Sequence, residues 1–293
     1  MKSTIVAALC LVFAVRTSGQ ATTTYDTGTG HGIPPIPTVH SEIPNTLPAV
    51  VVTWHYYAEP KMLVIHLTNN SGKDITAYNV SIRNKYADGT HDDQCCGLQS
   101  SSELLGGLIA VQMAKGTPSE ESAERGNNIF AAGTTRDQTV PETKGISGVD
   151  AVVDVVVYAD GTKEVGNEDA LKRIWAGRQR ELLAVQKVNW IIQNSLADPT
   201  EHPTAAALTE LAKYSAQMTK YTIEQMGKEQ GMYDIQQGQE AYLQNGIQTL
   251  RSMQQPRGKT TERERLKEYA ESLEKRITLM EPHCALVPIV LMQ

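Results

Sequence analysis

The chain reads as an α+β protein in which an antiparallel β-sandwich precedes an antiparallel α-helical region. Three observations predict this order. The first 21 residues have the make-up of an export signal, residues 49–166 alternate with period two, and residues 167–282 repeat their apolar positions every three to four residues.

In residues 1–21, Lys2 supplies a positive start and Ile5 to Val15 form an unbroken apolar run. Small residues offer processing points after Gly19 or Ala21. The run is about 11 residues, too short for a membrane-spanning helix, which needs roughly 20. Cys10 lies within this run, and Leu9 before it is not the small residue that a lipidated cysteine requires. The expected location is therefore outside the cytoplasm, periplasmic or extracellular. Residues 22–48 carry Thr22-Thr23-Thr24, Pro34, Pro35, Pro37, Pro44 and Pro48. That proline density favours extended backbone and reads as a spacer.

Strand patterns fill residues 49–166. Val50 to Tyr57 and Met62 to Leu67 are rich in β-branched and aromatic residues. Asn69-Asn70-Ser71-Gly72-Lys73 supplies turn chemistry, and Ile75 to Ile82 alternates again. Leu104 to Val111 fits either a short buried helix or a strand broken by Gly106-Gly107. Thr117-Pro118 resembles a helix start. Weaker strand character surrounds Ile129-Phe130 and Thr134 to Val140, and Val149 to Tyr158 is the strongest strand. The pentapeptide Tyr-Ala-Asp-Gly-Thr occurs twice, at Tyr86–Thr90 and Tyr158–Thr162, each copy ending a strand-like run. Neither copy carries the alternating acidic ligands of a calcium loop, so both read as hairpin ends.

Four helices are predicted over residues 168–197, from Pro203 to about Gly227, 232–254 and 261–280. Asp198-Pro199 stops the first. Arg178 and Asn189 occupy slots in its apolar stripe, where a polar residue sets register between helices. Gly238 and Gly246 weaken the third, so packing must hold it. Leu266, Ala270, Leu273, Ile277 and Met280 form the stripe of the fourth, with Lys267–Glu271 and Glu271–Lys275 as helical ion pairs. Residues 283–293 form an apolar tail containing Ala285-Leu286-Val287-Pro288-Ile289-Val290-Leu291-Met292, which is expected to dock on the sandwich or the helices.

Composition excludes some functions. Hydrophobic content is 40% and aromatic content 5%, so the core must be mainly aliphatic. Losing Lys2 and Arg16 with the signal takes the formal net charge from −6 to −8, which gives no attraction to nucleic acid or an anionic membrane. No second apolar run reaches spanning length, so no integral membrane span is expected after signal removal. Gly-x-Ser-x-Gly, His-Glu-x-x-His, Gly-x-x-x-x-Gly-Lys-Ser/Thr and Cys-x-x-Cys are all missing from the sequence. No catalytic residue and no cofactor is predicted.

A few residues remain candidates. His91, Asp92, Asp93, Cys95 and Cys96 group donors suited to zinc or copper, but in an exported protein a disulfide-bearing loop is the better reading and no metal site is expected. Cys95, Cys96 and Cys284 are the disulfide candidates, with Cys284 pairing to one of the other two. Trp54, Tyr56 and Tyr57 are possible binding aromatics, since flat rings stack on sugars. His55 and His66 read as hydrogen-bonded strand residues. Asn69-Asn70-Ser71 and Asn79-Val80-Ser81 match the glycosylation sequon.

Leu63 to Thr90, running from Leu-Val-Ile-His-Leu-Thr-Asn-Asn-Ser-Gly-Lys-Asp-Ile-Thr-Ala-Tyr to Tyr-Ala-Asp-Gly-Thr, resembles immunoglobulin-like or fibronectin-like sandwiches of exported proteins. The resemblance implies a fold and no active-site residue. The expected role is a non-catalytic interaction or envelope-associated structural protein, its partner an unknown protein or envelope component. The alternative is a carbohydrate-binding or hydrolytic protein that uses the sandwich. Neither partner identity nor oligomeric state is encoded in these patterns.

Overall fold

The computed structural model describes residues 47–57, 62–86, 88–90, 100–117, 129–141, 146–199, 201–226, 233–255 and 260–284. Residues 1–21, expected to be a signal, most of the expected spacer, His91 to Cys96, Pro118 and residues 285–293 lie outside them. The described residues form a mixed α+β chain with two small antiparallel sheets and five α-helices. Two compact units divide the chain, one holding every described strand and the other holding the long helices from Lys172 onward.

In the β unit, β1 (Val50–Tyr57), β2 (Met62–Asn69) and β5 (Thr135–Pro141) make a sheet in the order β1-β2-β5. The second sheet runs β4-β3-β6-β7, from β4 (Ser100–Glu103), β3 (Ile75–Tyr86), β6 (Ile146–Tyr158) and β7 (Lys163–Val165). Alternation sends Ile65 and Leu67 of β2 and Tyr78 and Val80 of β3 into one buried cluster, and an extra residue at Asp154 puts Val153 and Val156 of β6 on that same face. Both sheets therefore contribute to a single apolar core. Phe130 joins it, paired through a backbone bridge to Ile75 and tilted against Tyr78 at 5.7 Å between ring centres. The segment around Ile129-Phe130 is a bridge rather than a full strand. Leu105–Ala114 is helical (α1), which settles the reading left open between helix and strand. Thr117 follows that helix and its hydroxyl donates to the Ala114 carbonyl at 2.6 Å, while the helix expected from Pro118 lies outside the described residues.

Over Ile75–Val80, register irregularities in the β3–β6 pairing put one extra residue on each strand, and Ser147 is a further extra residue on β6 opposite Lys85 and Tyr86. Thr76 is the extra residue on β3, and its hydroxyl donates to the carbonyls of Val157 and Tyr158 at 3.2 and 3.3 Å. Asp154 is the extra residue on β6. Its carbonyl accepts from the backbone of Gly166 and Asn167 at 2.7 and 3.0 Å. A bulge costs ladder hydrogen bonds, and here the displaced residue recovers them.

In the helical unit, α2 (Glu168–Ala197) starts at Asn167, whose side-chain oxygen accepts from the amides of Asp169 and Ala170 at 3.0 and 3.2 Å. α3 (Pro203–Met226) begins on proline, which has no amide hydrogen to leave unsatisfied at a first helical position. α4 (Tyr233–Met253) contains Gly246 against α3 and α2. A Cβ there would lie 3.2 Å from Leu211 and 3.6 Å from Val188, so the glycine that weakens the helix also lets it approach closely. α5 (Glu262–Met280) opens with a capping box. Thr261 Oγ1 accepts from the Glu264 amide, and Glu264 accepts in turn from the Thr261 amide at 2.9 Å. Leu266, Tyr269, Ala270, Leu273 and Met280 form its buried stripe. Lys267 and Glu271 lie 4.0 Å apart as predicted, whereas Lys275 donates to the Met113 carbonyl at 3.0 Å.

Candidate functional site

The twin pentapeptides fold alike, as the hairpin reading expects. In the first, the Tyr86 amide donates to Thr90 and the Gly89 amide to Tyr86, each at 3.0 Å. In the second, the Tyr158 amide donates to Thr162 at 2.9 Å and the Gly161 amide to Tyr158 at 3.0 Å. Gly89 and Gly161 take φ of 82° and 81°, a region costly for residues with a Cβ. Asp88 and Asp160 each accept from the amide and hydroxyl of the threonine two residues on. Among the described residues, a cation is seen at the second turn. Lys73 Nζ reaches Asp160 at 2.7 Å and sits 5.3 Å above the Tyr158 ring. Lys73 and the Thr162 hydroxyl and amide hold the Asp160 carboxyl well below its usual range. Burial, followed by the hydrogen bond to Glu164, pushes the Tyr158 phenol up. These interactions fasten a turn and leave no group poised for proton transfer.

Both sequon asparagines are structural. Asn69 is fully buried, donates to the carbonyls of Lys73 and Phe130 at 2.8 and 2.9 Å, and accepts from Ser71. Asn79 is 2% exposed and donates to Asp154 Oδ2 at 2.6 Å, while Ser81 donates to the same oxygen. Neither nitrogen is available for glycosylation in the folded chain. The sequon pattern cannot register burial, which the structure adds.

Trp54, Tyr56 and Tyr57 lie on β1 opposite Ile65, Leu63 and Met62, and their side chains lie outside the described residues. His66, on β2, bonds Asp137 on β5 through Nδ1 at 2.6 Å, the structural role predicted for it. The metal candidates His91, Asp92, Asp93, Cys95 and Cys96 also lie outside. Cys284 is the one described cysteine, so the expected pairing with Cys95 or Cys96 falls beyond the described residues too. Its sulfur stands 3.6 Å from the Arg178 carbonyl oxygen. No group of His, Cys, Asp and Glu suited to a metal occurs among the described residues. No described helix is long and apolar enough to cross a membrane.

Polar chemistry is denser in the helical unit. Arg276 is paired with Glu181 at 2.8 Å and stacked 5.5 Å from the centre of the Tyr242 ring. Burial lowers the Arg276 guanidinium, but Glu181 and the two nearby phenols, Tyr242 and Tyr269, outweigh it and hold the proton more firmly. Burial pushes Tyr242 well above its ordinary value and Tyr269 up to about 12. The Tyr242 hydroxyl, Glu240 Oε1 and Arg276 Nε are buried without hydrogen-bond partners. Arg178 is fully buried, lies 5.2 Å from the Trp175 ring centre, and donates to the His283 carbonyl at 3.4 Å. The stripe's odd cation thus clamps the turn that follows α5.

A groove of about 450 Å³ lies between α2 and α5, lined by Gln186, Asn189, Trp190 and Gln193 from one and Glu274, Ile277 and Thr278 from the other. Trp190 is 56% exposed; it and Val51, at 42%, are the exposed large apolar side chains among the described residues. Lys187 Nζ caps the Trp190 ring at 4.0 Å and faces Tyr214 at 5.2 Å. Gln193 donates to Glu274 at 2.9 Å across the groove. Asn189 Oδ1 is shut off from solvent and has no hydrogen-bond partner. Sequence reasoning placed Asn189 in the helix seam and passed over Trp190. The available signal was a tryptophan off the apolar stripe, among Asn189, Gln193 and Lys187.

Comparison with known proteins identifies no relative by sequence: no family model and no curated protein matches. Among solved structures, a hypothetical protein from Peptoclostridium difficile 630 is similar over 44% of this chain and 92% of that one. The match has 16% identity and a TM-score of 0.23, and carries no weight for fold or function.

Proposed function

We propose that this is an exported, non-catalytic interaction protein whose helical unit presents the contact surface. The observation that carries the reading is Trp190, an indole more than half exposed, set in a groove of amide side chains. Exposed aromatics within polar rims mark binding surfaces more often than chemistry does. Export rests on the sequence of residues 1–21. An immunoglobulin-like sandwich for the β unit is supported by two antiparallel sheets sharing one core. In that compartment Cys284 would pair with Cys95 or Cys96.

Photo-crosslinking at two positions tests the reading. A photoreactive phenylalanine analogue replaces Trp190 in one variant and Val51 in another, and each full chain is irradiated with the exported fraction of its source. The reading expects a discrete adduct from position 190 and none from position 51. An adduct at position 51 alone, or at neither, contradicts it. A glycan array and a hydrolase panel run on the same protein examine the carbohydrate alternative, and turnover by wild type would overturn the non-catalytic role.

A further inference from the structure

We propose that the α2–α5 groove binds an uncharged, equatorially substituted sugar chain, with Trp190 as its stacking platform. The site lies in the helical unit and does not involve the aromatics of β1. This rests on the reading of the groove as a contact surface and names the chemistry of the partner. Three observations carry it.

The first is the platform. Trp190 is 56% exposed and lines the groove. Lys187 Nζ lies 4.0 Å from the indole centre and 5.2 Å from that of Tyr214 on α3, whereas the groove opens between α2 and α5. The cation therefore covers the indole face turned toward α3 and leaves the other to the groove. A ring held in this way loses little freedom when a ligand stacks on it. Its open face is electronegative. A pyranose with equatorial substituents presents a flat patch of axial C–H groups, apolar and slightly electropositive, which matches that face in shape and sign.

The second is the wall. Five of the seven side chains that line the groove end in an amide, a carboxylate or a hydroxyl, and Ile277 is the one aliphatic among them. An apolar peptide would ask for the reverse. Amides donate and accept together, as sugar hydroxyls do. Gln193 engages Glu274 through Oε1 at 2.9 Å, so Oε2 keeps its capacity to accept from a hydroxyl. Asn189 Oδ1 has no hydrogen-bond partner, so its amide can turn toward a ligand without breaking a bond.

The third is size and charge. A volume of about 450 Å³ falls within the roughly 300–1,000 Å³ of small-ligand sites. Among the described residues the lining carries one carboxylate, Glu274, and no cation, since Lys187 stands behind the indole. An anionic sugar would meet that carboxylate unbalanced, whereas a neutral one donates to it.

The test labels the three tryptophans of the full chain with 5-fluorotryptophan and assigns each resonance by its Phe substitution. The protein is titrated with cellotetraose and chitotetraose as neutral probes of this geometry, and with trigalacturonate as the anionic one. The proposal expects a neutral probe to shift the Trp190 signal saturably, with a Kd at or below about 1 mM, while Trp175 stays in place. Calorimetry should show the same binding weakened about tenfold or more in Trp190→Ala and several-fold in Glu274→Ala, both exposed positions. A Trp190 signal unmoved by either neutral probe at about 10 mM overturns the proposal on the wild-type protein alone. Binding that survives Trp190→Ala overturns it too, as does a response to trigalacturonate in place of the neutral probes. A response confined to Trp54 would move the site to the β unit and also overturn it. A crosslinked protein at position 190 beside an unresponsive sugar titration keeps the contact surface and overturns the sugar ligand, so the two failures are distinguishable.

Discussion

Asn69 and Tyr242 are both buried polar residues, but one closes its hydrogen bonds and the other does not. Asn69, in the β unit, donates to two carbonyls and accepts from Ser71. Tyr242, in the helical unit, buries a hydroxyl without a partner. The contrast extends to the units themselves. Thr76, Asn79 and Asp154 sit at or beside sheet irregularities and are bonded there. Asn189, Glu240 and Tyr242, whose buried side-chain oxygens have no hydrogen-bond partner, all belong to the helical unit. A buried unpaired polar group costs about 1–3 kcal/mol, so a scaffold tends to eliminate such groups and a site under other constraints retains them. The β unit has the chemistry of a finished support. The helical unit keeps buried side-chain oxygens without partners at Asn189, Glu240 and Tyr242.

This comparison can be broken most forcefully in the β core. Leu67→Ala should lose about 2–5 kcal/mol, read as faster hydrogen exchange of β2 and β5 amides, because Leu67 is wholly buried between the sheets. A cost below about 1 kcal/mol would mean that the two sheets do not share a tight core. Asn69→Ala should cost about 1–3 kcal/mol by the same readout, since the carbonyls of Lys73 and Phe130 each lose one of two donors and the Ser71 hydroxyl loses an acceptor.

A smaller effect separates the twin turns. Asp160 is held below its usual range by Lys73 and Thr162, so its contribution is complete above about pH 4, where the unfolded carboxyl is ionised. That contribution is lost as pH falls through the depressed folded value. An acid titration of β-unit stability should therefore fall less steeply below pH 4 in Asp160→Asn than in wild type. Asp88, which Thr90 alone lowers, should give a weaker change in Asp88→Asn. Equal slopes for both variants would show that Lys73 adds nothing to the second turn.

Much of the secondary structure was legible because its signals are local. Asn167, Pro203 and Thr261 are capping or first-turn residues, and the helices begin beside them. The Asp-Gly pairs specify their turns through φ alone. Where the sequence misled, the deciding quantity was non-local. The sequons at Asn69 and Asn79 could not show that both side chains face inward. The groove escaped notice for a similar reason, because it exists only where α2 meets α5, and Trp190 has no partner in sequence that marks it. Gly246 was read correctly as a weakness, while its use as a point of close approach depends on Leu211 and Val188, far away in the chain.

The most direct test of this contrast is Tyr242→Phe, which removes one hydroxyl and leaves the ring beside Arg276. If the helical unit does bury that hydroxyl unpaired, hydrogen exchange of α4 and α5 amides should slow, with stability rising by about 1 kcal/mol. A loss of 1 kcal/mol or more would show that the hydroxyl is satisfied, and that the helical unit is closed in the same way as the β unit.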